Sequence, residues 1–248
     1  ALESLGYAGG GATTTNAAAD ALRDPKDAVW MRRIFMDAEE DAREGRHAKA
    51  EKALVKLIAA SPESLAFNYK LGKLFFEQGR FDEARQVFEV MTKRFADNYA
   101  PHYDLGKTLI KLKTFDAAIT ALTRAAEIDD TKVEVHNNLG LAYLYKGDLP
   151  AAMAALQRSI AIDPKQVDPH SNLGHILLQM GRPEEAIAEF DRALEVDPQA
   201  IGPRYNLGLT LLQLARYREA AEAFQWVIRI NPSFADVQAK LRLAQERL

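Results

Sequence analysis

The chain has 248 residues, 48% hydrophobic and 27% charged, the composition of a folded chain rather than a disordered one. Lys plus Arg (32) nearly balances Asp plus Glu (35), so no bulk charge favours nucleic acid, and no uncharged apolar run approaches the ~18 residues of a membrane span. The absence of Cys excludes disulfides, thiolate metal sites and Cys nucleophiles.

Residues 1–24 hold a Gly triplet (Gly9 to Gly11), a Thr triplet (Thr13 to Thr15) and an Ala-rich stretch, and read as a flexible linker or the tail end of a preceding domain. The chain opens at Ala1 with neither Met nor a basic-then-apolar leader, so it is expected to be a piece of something longer. Asp24-Pro25 predicts a helix start.

From there a fixed step of 34 residues governs the chain. Gly72, Gly106, Gly140, Gly174 and Gly208 each follow a Leu, and a second small residue returns twelve positions later at Ala84, Ala118, Ala152, Ala186 and Ala220. A fixed period of this size signals a stacked repeat array, which offers an extended surface rather than a closed catalytic pocket. Stepping back from Gly72 gives Ala38, and Gly45, Ala50, Leu54 and Pro62 keep the register, although Asp37 stands where Leu is expected. Residues 25–64 therefore read as a degenerate first repeat with a leading helix turn, the worn unit expected at a solenoid's end. Five full units follow at 65–98, 99–132, 133–166, 167–200 and 201–234.

Within each unit, apolar residues three and four apart predict two amphipathic helices: Leu71, Leu74 and Phe75 on one, Ala84, Val87, Phe88 and Met91 on the other. Gly45, Gly79, Gly147 and Gly181 mark the turn inside a unit; Lys113 and Ala215 occupy that place in two units, where the turn should be tighter or slightly strained. Ser61-Pro62, Asp163-Pro164, Asp197-Pro198 and Asn231-Pro232 mark the break between units. Residues 234–248 read as a capping helix with Phe234, Val237, Leu241, Ala244 and Leu248 inward.

Leu173, Gly174, Leu177, Ala186, Phe190, Ala193 and Pro198 together match the signature of the tetratricopeptide repeat, and the chain resembles that family over its whole repetitive part. The resemblance implies an all-α fold, a right-handed superhelical α-solenoid of antiparallel helix pairs. The usual Trp near each unit's start is replaced by Asn68, His102, His136, His170 and Arg204. Separately, the opening ALESLGYAGG and the Asp24 to Asp27 segment resemble the end of the catalytic domain, and the start of the repeats, in bacterial sulfatases that carry such a tail. That second resemblance implies a periplasmic or secreted setting; without it the chain reads as cytoplasmic.

Catalysis finds no residues. The Cys/Ser-x-Pro-x-Arg motif of sulfatases is missing, and Gly9-Gly10-Gly11 lacks the Gly-Lys-Ser/Thr of a phosphate loop. The expectation is a chain with no enzymatic activity, cofactor or metal. His102, His136 and His170 recur with the period, but helices of neighbouring repeats lie ~8–10 Å apart, so these side chains read as packing residues in the family's aromatic position rather than as ligands.

In this family the first helices line a concave groove, which implies a protein or extended-peptide partner; neither nucleic acid nor a membrane span is expected. Two residues before each Gly stand Lys70, Asp104, Asn138, Asn172 and Asn206. The three Asn resemble the asparagine ladder of the O-GlcNAc transferase repeat domain, where carboxamides can hold a ligand's main chain through both a donor and an acceptor. Phe76, Ile110, Leu144, Leu178 and Leu212 form an apolar stripe beside them, flanked by Tyr69, Tyr103 and Tyr205. Lys73, Lys107 and Lys111, with Lys70, add positive charge near the amino end and a preference for acidic segments. The alternative is a structural or oligomerisation appendage docked on an upstream sulfatase-like catalytic domain.

Overall fold

The computed structural model describes residues 25–234 and 236–248. The sulfatase resemblance at Ala1 to Gly10 and the linker reading of residues 1–24 lie outside the described residues. Among the described residues every regular element is an α-helix: α1 (Pro25–Arg43), α2 (His47–Ala60), α3 (Leu65–Glu77), α4 (Phe81–Arg94), α5 (Tyr99–Lys111), α6 (Phe115–Ile128), α7 (Val133–Lys146), α8 (Leu149–Ile162), α9 (Val167–Gln179), α10 (Pro183–Val196), α11 (Ile201–Gln213), α12 (Tyr217–Ile230) and α13 (Val237–Gln245). None of these is long and apolar enough to cross a membrane. The chain divides after Asp130 into two compact units, α1–α6 and α7–α13, each a run of stacked helix pairs. The class is all-α helical repeat.

The repeated Gly explains how each pair closes. A Cβ built on Gly72 would lie 2.7 Å from Phe88 Cε1, and one on Gly174 would lie 2.6 Å from Phe190 Cε1. The same clash recurs between Gly106 and Leu122, Gly140 and Leu156, and Gly208 and Phe224, always sixteen residues on. The first helix thus gives up a side chain so that the second can lay its largest one against bare backbone. Ala84, Ala118, Ala152, Ala186 and Ala220 complete the crossing and are fully buried.

Each pair turns by the same main-chain device. At Gly79 the amide bonds to Phe76 O at 3.0 Å and the next amide, of Arg80, reaches back to Phe75 O at 2.9 Å. Gly181 with Arg182, and Gly147 with Asp148, repeat it. This pattern requires a left-handed residue, and Gly79 has φ +72°. Lys113 and Ala215 keep the same bonds at φ 59° and 58°, so the expected strain is present and is absorbed as left-handed backbone in residues that carry a Cβ. Ala215→Gly is therefore expected to stabilise the carboxyl-terminal unit by up to about 1 kcal/mol, read as a rise in urea midpoint. A fall in the midpoint would refute the strain.

Helices stop where the sequence breaks were placed, with Ser61, Asp163, Asp197 and Asn231 each as the residue after the last helical turn. The degenerate first pair carries a feature that periodicity does not show. Asp41 occupies the register place held by the buried Phe75 in the next pair, and it is itself only 2% exposed. Arg46 Nε (2.6 Å) and Lys49 Nζ (3.1 Å) donate to its carboxylate across the α1–α2 turn. Burial pulls the Asp41 carboxyl upward, but these donors outweigh it and hold it below the ordinary range. Ala38 takes the Gly place, fully buried, while Asp37 points to water.

The capping helix needs one correction. Val237 and Ala244 are buried and Phe234 and Leu241 pack against the core, but Leu248 is 69% exposed because α13 ends at Gln245. Leu248 falls past the last turn, where the helical period no longer aims it inward.

Candidate functional site

The first helices of neighbouring pairs lie side by side in each unit, so residues at one register place form a row. The replaced Trp position comes first, because its role differs from packing alone. Asn68 Nδ2 donates to Pro62 O (2.9 Å), His102 Nε2 to Ala96 O (3.2 Å), His170 Nε2 to Pro164 O (3.1 Å) and Arg204 Nη2 to Pro198 O (3.3 Å). In each case the acceptor lies six residues back, in the loop that closes the preceding pair. His136 and His170 are buried, as a packing position requires. Each of these four side chains pins the preceding loop by a hydrogen bond as well, a role that residue identity alone did not reveal. Burial pushes the His102 imidazole below its usual value. Among the described residues no group of three metal-ligating side chains converges, and the His row does not assemble one.

His170 adds a second contact. Its Nδ1 lies 2.7 Å from Glu189 Oε2, and Arg192 holds the other oxygen of Glu189. This network lies at the floor of a cleft of about 960 Å3 between α8 and α10 that also takes in Ile160, Lys165 and Leu173. No residue of the expected peptide groove lines this cleft.

In the carboxyl-terminal unit, Asn138, Asn172 and Asn206 are half-buried at one register of α7, α9 and α11. Asn138 Nδ2 donates to Glu134 O of its own helix at 2.8 Å. Asn172 Nδ2 donates to Asn137 Oδ1 of the neighbouring first helix at 2.9 Å, a link between pairs that the sequence reading missed. Each carboxamide thus uses one of its two N–H donors within the protein. Leu144, Leu178 and Leu212 are half-buried and pack against the unit's own core, so the stripe is a partly covered strip rather than an exposed ridge. Tyr145, one place beyond Leu144, is far more open at 56% exposure.

Tyr205 is drawn away from that face. Its hydroxyl donates to Asp236, and its ring packs on Phe224 and Phe234 at 5.9 and 5.3 Å, so it anchors the segment leading into α13. Burial and then the Asp236 charge push the Tyr205 phenol up to about 12. The pairing also draws the Asp236 carboxyl below its usual range.

The amino-terminal unit differs in character. Lys73 Nζ lies 4.9 Å from the centroid of Tyr69, and Lys107 Nζ sits between Phe76 (5.0 Å) and Tyr103 (5.1 Å). Each ammonium is thus held on the negative face of an aromatic ring. Phe76 also meets Phe81 edge-on at 5.4 Å, so its outer part alone is available. Ile110 is half-buried and Lys111 exposed in the last turn of α5, where its charge complements the helix dipole. Lys70 is tied to Glu39 of α1 at 3.3 Å. Asp104 is only 4% exposed, and burial, then a hydrogen bond to Asp104 and its charge, drive the Tyr69 phenol well above the usual range.

Two family models, both described as tetratricopeptide repeat, match residues 42–100 and 143–207, and residues 103–167 and 205–245. Among solved structures the chain is similar to MamA, with 26% identity over 65% of this chain and 95% of that one at a TM-score of 0.59. It is also similar to TTC0263, a thermophilic repeat protein of Thermus thermophilus, with 21% identity over 72% and 97% of the two chains and a TM-score of 0.60. A third is YrrB, described as having an unusual peptide-binding site, with 18% identity over 79% and 97% of the two chains and a TM-score of 0.57. The latter two likenesses speak for the fold alone. Curated proteins yield no match.

Proposed function

Because the chain belongs to the tetratricopeptide repeat family, we propose that it is a non-catalytic scaffold holding an extended protein or peptide segment along the first-helix faces of its units. The observation that carries this is the row of half-buried Asn138, Asn172 and Asn206 at equal steps, with the Leu144, Leu178 and Leu212 strip beside it. An extended peptide presents alternating N–H and C=O groups, which a row of carboxamides can meet without reading side chains. The leucines exclude water from those bonds. The peptide-binding description of YrrB agrees with such a role. Lys73, Lys107 and Lys111 favour ligand segments that are neutral or acidic at the corresponding places.

The test begins with a random peptide display library panned against the full chain, from which a fluorescein-labelled winner is carried to anisotropy titration. Replacing Asn138, Asn172 and Asn206 together by Ala should weaken its binding at least about tenfold, the loss of a few net hydrogen bonds. Melting should stay close to that of the parent. Unchanged affinity in the triple variant removes the ladder; failure to select any ligand removes the groove. The rival reading, an appendage of a sulfatase-like hydrolase, rests on the first thirty residues and draws no support from the family models, which match within residues 42–245.

A further inference from the structure

One repeat on from His170, Glu189 and Arg192 stand Arg204, Ala223 and Trp226, and Asp191 takes the place of Gln157. Between α10 and α12 the chain fills its own junction. Trp226 packs against the core with the Arg204 guanidinium over its ring at 4.4 Å, and the Asp191 charge acts on Arg204. Ring, cation and carboxylate thus meet there. Between α8 and α10 the Trp and Asp places hold Arg192 and Gln157 instead, and the cleft of about 960 Å3 opens beside them, with Ile160, Leu173 and Val196 as its apolar lining. Its floor carries a definite charge. His170 Nε2 donates to Pro164 O, so the 2.7 Å approach of Nδ1 to Glu189 Oε2 needs a second proton between them, since two lone pairs do not meet so closely. Whichever atom holds that proton, the His170–Glu189 pair has no net charge, and the positive charge of Arg192 is left uncompensated although it donates to Glu189. Lys165 and Glu195, both exposed on the cleft lining, offset one another. The guanidinium has five N–H donors, the Glu189 bond uses one, and the Arg192 side chain is 56% exposed.

We propose that the cleft between α8 and α10 binds a small aromatic carboxylate, which brings from outside the ring and the acid that the neighbouring junction builds from Trp226 and Asp191. The ring packs on Ile160, Leu173 and Val196, and the carboxylate accepts from the remaining N–H donors of Arg192. That bond has two charged partners, so it is stronger than its neutral equivalent, and the guanidinium also favours the face of an aromatic ring. Trp226 sets the size of ring that such a junction accommodates, a fused bicycle. An apolar cleft with a few convergent polar groups is the usual form of a small-molecule site. The site lies on the second helices of its unit and shares no residue with the Asn row, so it stands or falls independently of the peptide groove.

The probes are indoleacetate, substituted as in tryptophan, and its uncharged amide, each titrated into the isotope-labelled full chain and followed by NMR amide shifts. Indoleacetate should bind saturably with a Kd on the order of 1 mM, shifting His170, Leu173 and Arg192, and the amide should bind at least about fivefold more weakly. Changing His170→Arg, Glu189→Ala and Arg192→Trp together copies the neighbouring junction, so the chain should still melt cooperatively while affinity for indoleacetate falls at least about tenfold. Where that triple variant does not fold, Arg192→Gln keeps a donor for Glu189 and removes the charge. It should weaken the acid until acid and amide agree within about twofold. No saturable shift below about 10 mM, or equal affinity for acid and amide on the parent chain, overturns the site. So does a folded triple variant, or an Arg192→Gln variant, that binds the acid as the parent does.

Discussion

Gly174→Ala is expected to destabilise the carboxyl-terminal unit by about 1–3 kcal/mol, toward the upper end, while Gly202→Ala in α11 should be neutral or stabilising by up to about 1 kcal/mol. Both sites are helical glycines, and helix propensity alone would favour Ala at each. At Gly174 the added Cβ meets Phe190 Cε1 at 2.6 Å and Cδ1 at 2.9 Å, and Phe190 is fully buried with no room to swing aside. At Gly202 nothing outside its chain neighbours and its own helix backbone lies within 4 Å. Opposite signs in urea unfolding would show that the recurring glycine is a packing device; equal effects at the two sites would show that it is not.

Phe190→Ala should cost more, about 3–5 kcal/mol, because it removes a fully buried ring and leaves a cavity under α9. The two substitutions should also fail to add. In the double variant the new Cβ at residue 174 enters space that the ring has vacated, so the double variant should be about 1–2 kcal/mol more stable than the sum of the two single losses predicts. Strict additivity would mean that α9 and α10 move apart to accept the Cβ, and that the crossing is softer than the distances imply.

Much of the architecture was written in the spacing. The Gly and Ala series located every crossing, and the glycine and proline breaks located the turns, because backbone requirements of that kind admit few residue types. Lys113 and Ala215 were visible for the same reason, as departures from a glycine rule. The polar contacts were not. Nothing in the spacing marked Asp41, which is a buried anchor for Arg46 and Lys49. Asn138 and Asn172 were equivalent by register, but Glu134 engages one and Asn137 the other. Tyr205 fell in with Tyr69 and Tyr103 until Asp236 drew it toward the cap. Each outcome depends on a rotamer and on the path of a neighbouring loop, and a period of 34 residues is silent on both. Leu248 was misplaced for a simpler reason, since the helix stops before reaching it.

The loop-pinning bonds at Asn68, His102, His170 and Arg204 share one property that bears on how such a chain can grow. Their acceptor is a main-chain carbonyl, which every residue type provides. A helix pair copied elsewhere in the array therefore arrives with its junction already satisfied, whatever its new neighbour's side chains. Amide, imidazole and guanidinium donors all serve, so the position can drift without a matching change across the junction. His170 and Arg204 depart from this, since His170 has also taken Glu189 as a partner and Arg204 lies over the Trp226 ring, which ties the two helices of each pair to each other's identity. Duplication and transplantation of pairs should be tolerated most readily where the latch answers to backbone alone.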